Sequence, residues 1–174
     1  MTGGQPGGTG SAEPISPTAR LASLDIVLPA VPTPAGAYVP AVRNGNLVFT
    51  SGQLPYVDGA LPYTGLVGRG EHLHAGGQVS PEQAYVCARI CALNALAAVA
   101  SVVGSLDLVT GIVKVTGFVA SATGFTAQPG VLNGASELLG SIFGEHGRHA
   151  RSAVGVAALP MGAPVEIELV VSVL

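Results

Sequence analysis

Three groups of residues in this sequence are of types that do chemistry. The first is Arg151 with Glu166 and Glu168, set in the apolar stretch 151–173, RSAVGVAALPMGAPVEIELVVSV. A guanidinium at the mouth of an apolar strand is costly unless it meets an anion. That anion is either a substrate carboxylate, bound bidentately, or an internal partner, Glu166, Glu168 or Glu145. Periodicity leaves both open. Glu166 and Glu168 are two apart, so they share one sheet face; one suits a structural partner, the other a base that positions water. The second group is Cys87 and Cys91, spaced i, i+4 in line with Asn94 and Ala98. The spacing is not Cys-x-x-Cys, and small helix cysteines are commonly buried, so they read as core. The third is His72 and His74 with Glu71, and His146 with His149. Each is half a metal shell at most, since such sites need three or four ligands on a fixed frame. They read as loop histidines, and no metal is expected. The sequence holds no Gly-x-Ser-x-Gly elbow, no Gly-x-Gly-x-x-Gly after a strand and no phosphate loop.

The elements that must position these groups can be read in order. Residues 1–19 are Gly, Pro, Ser and Thr with almost no large apolar side chain, so they are expected to be disordered. Residues 20–174 form a single domain. Arg20–Leu28 has helical spacing of Leu21, Leu24 and Val27. Ala37–Arg43 and Leu47–Ser51 flank Asn44-Gly45-Asn46, a hairpin signal. Pro40 places the first of these strands at an edge or a bulge. Gly52–Val79 is a long loop, of a length that is often functional. Ser80-Pro81-Glu82-Gln83 is a capping box with Pro at the first helical position, opening a helix that runs to Val103 and stops at Gly104. Gly111–Ala120 alternates as a strand, Pro129–Phe143 is a second long helix ending at Gly144, and 151–173 reads as a closing hairpin around Leu159–Pro164. In a regular hairpin Arg151 and Glu166 lie about six residues, ~20 Å, apart along the strands. One chain then brings them together only by curling strongly; otherwise they meet across a subunit boundary. The order β-β-α-β-α-β-β predicts an α+β fold, a mostly antiparallel sheet with two helices on one face.

Composition adds a constraint. Apolar residues make up 48% of the chain and charged residues 10%, against a usual ~25% charged. A monomer would expose large apolar patches. The longest uncharged run, Ile90–Leu106, is short of the ~20 residues a bilayer needs, so no membrane span is expected. With no helices left to cover the second sheet face, the cover is expected from a second copy of the chain. Net charge is −3, and the only local basic group is Arg148-His149-Arg151. That provides no stripe to follow a phosphate backbone, so nucleic acid is not the expected partner. The two cysteines do not suggest a secreted disulfide scaffold, and the first residues lack the apolar core of a secretory signal. A cytoplasmic protein is the expectation.

From about Arg20 onward the chain resembles the Rid, or YjgF, family of reactive-intermediate deaminases. The matching pieces are Gly36-Ala37-Tyr38, Gly45-Asn46-Leu47-Val48-Phe49-Thr50-Ser51-Gly52-Gln53, Asn133, Ala150-Arg151-Ser152-Ala153-Val154, Leu159-Pro160 and Val165-Glu166-Ile167-Glu168. The resemblance implies a chorismate-mutase-like fold, a homotrimer and ligand clefts between subunits. It implies hydrolysis of small enamines and imines, such as 2-aminoacrylate, to 2-keto acids and ammonia, with no cofactor. By the motif match Arg151 binds the substrate carboxylate, Glu166 positions or activates water, and Tyr38, Ser51, Gly52 and Asn133 line the cleft. The sequence departs from the family at Ala153, where the deaminases carry cysteine, and in its N-terminal helix and longer Pro62–Val79 loop. These departures suit a divergent branch, so the alternative is a trimeric, non-catalytic binder of small carboxylates. Some relatives are labelled endoribonucleases or translation inhibitors; the acidic balance here argues against that role.

Overall fold

The structure is a computed structural model that describes residues 15–31, 36–68 and 78–174. The expected tail falls almost wholly outside these residues, as do Glu71, His72 and His74. The chain opens with α1 (Pro17–Ser23), which starts earlier and ends earlier than the helix predicted over Arg20–Leu28. The Ser16 side chain caps it by accepting from the Ala19 N–H, and Pro17 sits where its missing N–H costs nothing. Strands β1 (Ala41–Asn44) and β2 (Leu47–Thr50) form the Asn-Gly hairpin, with Gly45 at φ 62°. β1 begins after Pro40, later than predicted, because residues 36–38 turn: the Tyr38 N–H donates to the Gly36 carbonyl. The long loop carries a small parallel ribbon, β3 (Leu66–Val67) with β4 (Gln78–Val79).

Helix α2 (Pro81–Val103) has the predicted capping box at Ser80 and Gln83 and ends at Gly104, φ 88°. It is long and apolar enough to cross a membrane by length and composition. In this fold it is the core helix: Ala84, Cys87, Ala88, Cys91, Ala95 and Leu96 are buried where it packs on β7 and α3. Strand β5 (Val109–Ala120), helix α3 (Gln128–Phe143), strand β6 (Ala150–Val156) and strand β7 (Val165–Val173) complete the chain. Both long helices lie on one face of a five-stranded sheet, ordered β1-β2-β7-β5-β6.

The sheet corrects one expectation. Residues 151–173 do not form a hairpin. β5 lies between β6 and β7, parallel to the first and antiparallel to the second. A β5-α3-β6 crossover explains the parallel pair, since such strands need a helical connection. The segment between β6 and β7 is longer than the two to five residues of most hairpin loops. It contains a single 3₁₀ turn, Pro160–Gly162, with Met161 at φ 57°. β6 is therefore an edge strand.

Register assigns the two sheet faces. In β7, Val165, Ile167, Leu169, Val171 and Val173 are buried against the helices, while Glu166, Glu168, Val170 and Ser172 face away. Phe49 pairs with Val170, Val42 with Phe49, and Val154 with Phe118, so all share the helix-free face. Val42, Phe49 and Val154 are 53%, 43% and 44% exposed. Among the described residues no helix covers this face.

Candidate functional site

The site residues fall into two clusters on opposite faces of the sheet. Arg151 pairs with Val115, which faces the helices; Glu166 pairs with Phe118, which faces away. Along β5 these levels are three residues apart, about 10 Å, and two strand spacings add a further ~10 Å across the sheet. The separation of about six residues expected from a hairpin does not hold. The conclusion that one chain does not converge the two side chains does, for a different reason: they point to opposite sides.

The first cluster lies where the end of β2 meets the start of β7. The Gln53 N–H donates to the Ile167 carbonyl at 2.9 Å, and the Ile167 N–H returns the bond at 3.0 Å. The Leu169 N–H donates to Thr50 Oγ1 at 2.9 Å. These bonds set Gly52 against Glu166 so closely that a Cβ at Gly52 would collide with the Glu166 carboxylate. Glycine leaves that space to the Glu166 side chain. Glu166, Gly52 and Tyr38 line a cleft of about 680 Å³, with Leu54, Tyr56 and Pro160 among its walls. Glu166 is half-buried and its pKa is raised above the usual 4.5, first by desolvation and then by the Glu168 charge two residues on. A carboxylate in this state is a stronger base than a solvated one. Tyr38 is 54% exposed, with its ring at the cleft. Ser51 donates its hydroxyl to the Val39 carbonyl at 2.6 Å. It ties the Tyr38 segment to β2 and is not among the lining residues.

Sequence reasoning missed Asn94 here. It is 2% exposed, and its Nδ2 donates to the carbonyls of Leu54 at 2.8 Å and Tyr56 at 3.1 Å. One helix side chain thereby fixes the loop that walls the cleft. The available signal was a lone amide inside the apolar run Ile90–Val99. Below the cleft, Cys91 donates weakly to the Val165 carbonyl, and burial holds its thiol well above the usual value. Cys87 is pushed up to about 12 by burial. Both are neutral core thiols, as their spacing suggested.

The second cluster lies where α3 covers β6. Arg151 Nη1 donates to Asn133 Oδ1 at 2.9 Å and to Ser136 Oγ at 3.0 Å, and Nη2 donates to the Pro129 carbonyl at 3.2 Å. All three acceptors are neutral. Among the described residues Arg151 has no ion pair; Glu145, one candidate partner, pairs with Arg148 at 3.1 Å. The internal-partner reading of Arg151 therefore fails. Among the described residues, two of its five N–H donors make no bond and no carboxylate pairs with it. Ser136 and His149 are further members that sequence reasoning did not assign to this site. The sequence alone makes His149 a loop histidine or half a metal shell. Among the described residues no group of three metal-ligating side chains occurs. Ala153 pairs with Gly117 and so shares the helix-side face with Arg151.

The two half-sites can be set beside known proteins. Residues 18–172 match the family described as "YjgF/chorismate_mutase-like, putative endoribonuclease". The chain belongs to this family. It is 43% identical over 154 residues to Protein TCP17 of Trypanosoma cruzi, covering 88% of this chain and 91% of that one. Among solved structures it resembles protein Atu1372 of Agrobacterium tumefaciens, of unknown function, at 42% identity and TM-score 0.79, covering 90% and 92% of the two chains. It also resembles Escherichia coli TdcF with bound serine, at 27% identity and TM-score 0.55, covering 82% and 92%. The chorismate-mutase-like α+β fold expected from the sequence is the fold observed.

Proposed function

We propose that the protein is a hydrolytic deaminase of small enamines and imines, acting in clefts shared by two subunits of a homotrimer. The observation that carries this reading is the Arg151 guanidinium, without an ion pair among the described residues and oriented by three neutral acceptors on one sheet face, while Glu166 lies on the other. A second copy packed against the apolar face brings its Arg151 to the Glu166 of the first. Burial of Val42, Phe49 and Val154 favours that association. TdcF, with serine bound, is a relative that holds a small carboxylate.

In this reading Arg151 and Asn133 of one subunit hold the substrate carboxylate. Tyr38, Gly52 and Glu166 of the neighbour surround the imine carbon, with Ser51 steadying the Tyr38 segment. Glu166 accepts a proton from water as the water oxygen bonds to the iminium carbon and the C=N π pair moves to nitrogen. The proton passes to the nitrogen of the tetrahedral adduct, the C–N bond breaks, and ammonia leaves with the former C–N electron pair. The remaining hydroxyl proton is lost as the keto group forms. An iminium is already electrophilic, so orientation and a placed base supply what the step needs, without a cofactor.

The test generates 2-aminoacrylate in situ with a pyridoxal-phosphate dehydratase and follows keto-acid release. Acceleration by wild type, lost in both Arg151→Ala and Glu166→Gln, is expected. No acceleration, or equal acceleration by Arg151→Ala, overturns the reading. Co-refolding the two inactive variants in equal amounts tests the shared cleft. Random assembly pairs an intact Arg151 with an intact Glu166 in about a quarter of sites (one half times one half), whereas a single-chain site regains nothing.

Ala153 favours a second reading, a trimer that binds small carboxylates without turnover. It sets a methyl group on the Arg151 face where the deaminases carry a thiol. Under that reading 2-oxobutanoate raises the melting temperature of wild type but not of Arg151→Ala, with no keto-acid release in the first assay. A ribonuclease role is named in the family description and in the name of a solved relative from Shewanella oneidensis, a "putative endoribonuclease"; RNA cleavage that disappears with Glu166→Gln would establish it.

A further inference from the structure

The second cluster extends beyond Arg151. His149 Nδ1 lies 2.6 Å from the Gly147 carbonyl, and His149 Nε2 lies 2.9 Å from Ser136 Oγ. A carbonyl only accepts, so Nδ1 carries the proton. In the neutral ring Nε2 is then an acceptor, and Ser136 donates its hydroxyl to it. The same Ser136 oxygen accepts from Arg151 Nη1. The four groups form one directed chain: Arg151 to Ser136, Ser136 to His149, His149 to the Gly147 backbone. Gly147 anchors its far end. It is packed against α3 with so little room that a Cβ would sit 2.5 Å from the Leu139 carbonyl oxygen. The turn that presents the Gly147 carbonyl is thereby fixed to the helix that presents Ser136.

We propose that Ser136 and His149 are positioning residues for the Arg151 clamp, and that protonation of His149 tightens carboxylate binding. This rests on Arg151 being the carboxylate clamp. When the ring takes a second proton, Nε2 becomes a donor and Ser136 must accept from both sides. Its own hydroxyl hydrogen turns away, while the bond from Arg151 is kept. A second positive charge then lies one hydroxyl away from the guanidinium. A bound carboxylate favours that charge, and by linkage the charge favours the carboxylate to the same degree. The surrounding ionisable groups do not cancel the effect. From α3, Glu137 accepts from the Tyr85 hydroxyl on the α2 side. From the turn before β6, Glu145 is paired with Arg148 in solvent, and His146 is exposed. From β5, Lys114 faces the other side of the sheet and donates to Ser152. From β6, only Arg151 faces the ring.

The experiment measures the Kd of 2-oxobutanoate by calorimetry on the full chain between about pH 5 and 8, the range in which histidine changes charge. Wild type is expected to bind about tenfold more tightly at the acid end. His149→Gln, which keeps a hydrogen-bonding amide but not the charge, should reduce this dependence, and in a Glu166→Gln background it should leave the profile flat. Ser136→Ala should weaken binding at every pH, and Ser136→Thr should restore it. In parallel, the ¹⁵Nε signal of Arg151 is followed by NMR without ligand. An inflection in wild type that vanishes in His149→Gln supports the chain. Variants with wild-type Kd and wild-type pH dependence overturn the inference while leaving the Arg151 clamp intact, provided Arg151→Ala loses binding. If wild type binds no carboxylate, the clamp reading and the affinity linkage both fail. A flat Arg151 signal across the histidine titration independently removes the positioning role.

Discussion

The cleft around Glu166 is walled largely by apolar and aromatic side chains, Pro29, Leu54, Tyr56 and Pro160 among them, with Gln53, Asp58 and Asn94 as polar members, and backbone bonds join β2 to β7 beside it. The surroundings of Arg151 are polar, partly exposed and fixed by side-chain bonds from α3. The contrast follows the charge each group must handle. A carboxylate gains basicity when water is withdrawn from it, and the half-buried Glu166 lies in a mostly apolar cleft. A guanidinium that must capture an anion needs its charge intact and its direction set. Neutral hydrogen-bond acceptors do that, where a carboxylate would neutralise it. Placing the two on opposite faces also prevents them from pairing with each other inside one chain.

Substitutions can separate the halves. The largest effect is expected from Arg151→Ala. Losing charge-assisted bonds to the substrate, worth about 3 kcal/mol, lowers kcat/KM by about 100-fold or more. The melting temperature should hardly move, since the side chain is partly exposed and has no ion pair among the described residues; steady-state kinetics with calorimetric melting checks both. Gly52→Ala strikes the other half. Its methyl group displaces the flexible end of Glu166 rather than backbone, so activity should fall about 100-fold, through a misplacement on the order of 1 Å, with little loss of stability. A large drop in denaturation midpoint would show instead that the β2–β7 junction itself is strained.

Asn94→Leu should act through stability. It leaves the Leu54 and Tyr56 carbonyls without their donor, at about 1–3 kcal/mol, measurable by urea unfolding. The smallest expected effect is a gain. Burial raises the Glu166 pKa in the folded chain, so the charged form disfavours folding. The sign is that of a raised acid: no penalty exists in acid, and one develops as pH rises above the usual 4.5 and through the raised folded value. Glu166→Gln, inactive in catalysis, should therefore melt a little higher than wild type at neutral pH and match it in acid. Equal melting curves at both pH values would mean that the carboxylate is better solvated than its burial indicates.

The legible parts of the fold were those with local causes. The Asn-Gly turn, the Ser80–Gln83 capping box and the stops at Gly104 and Gly144 all act within a few residues, and the structure places them as read. The helix at the N-terminus was misplaced because spacing of Leu21, Leu24 and Val27 outweighed the cap at Ser16 with Pro17, a stronger local signal. The hairpin was misread because two apolar strands joined by a Pro-Gly turn suggest neighbours. Strand order depends on which partner buries the most surface, and β5 lies at a distance in sequence. Within the site, Arg151 and Glu166 were legible as charges without local reason. Ser136 and His149 were not, because an ordinary helix serine and a loop histidine acquire a role only when α3 is laid over β6.

By itself, then, the sequence determined the α+β class, the limits of the two long helices and the apolar excess, and it singled out Arg151 and Glu166. Each follows from composition or from interactions a few residues long. The tertiary structure alone decided that β5 separates β6 from β7, that Arg151 and Glu166 therefore face opposite sides, and that Arg151 is held by neutral acceptors from α3. Those outcomes depend on strand register and crossover, where the alternation of side chains makes a one-residue difference in pairing a change of face.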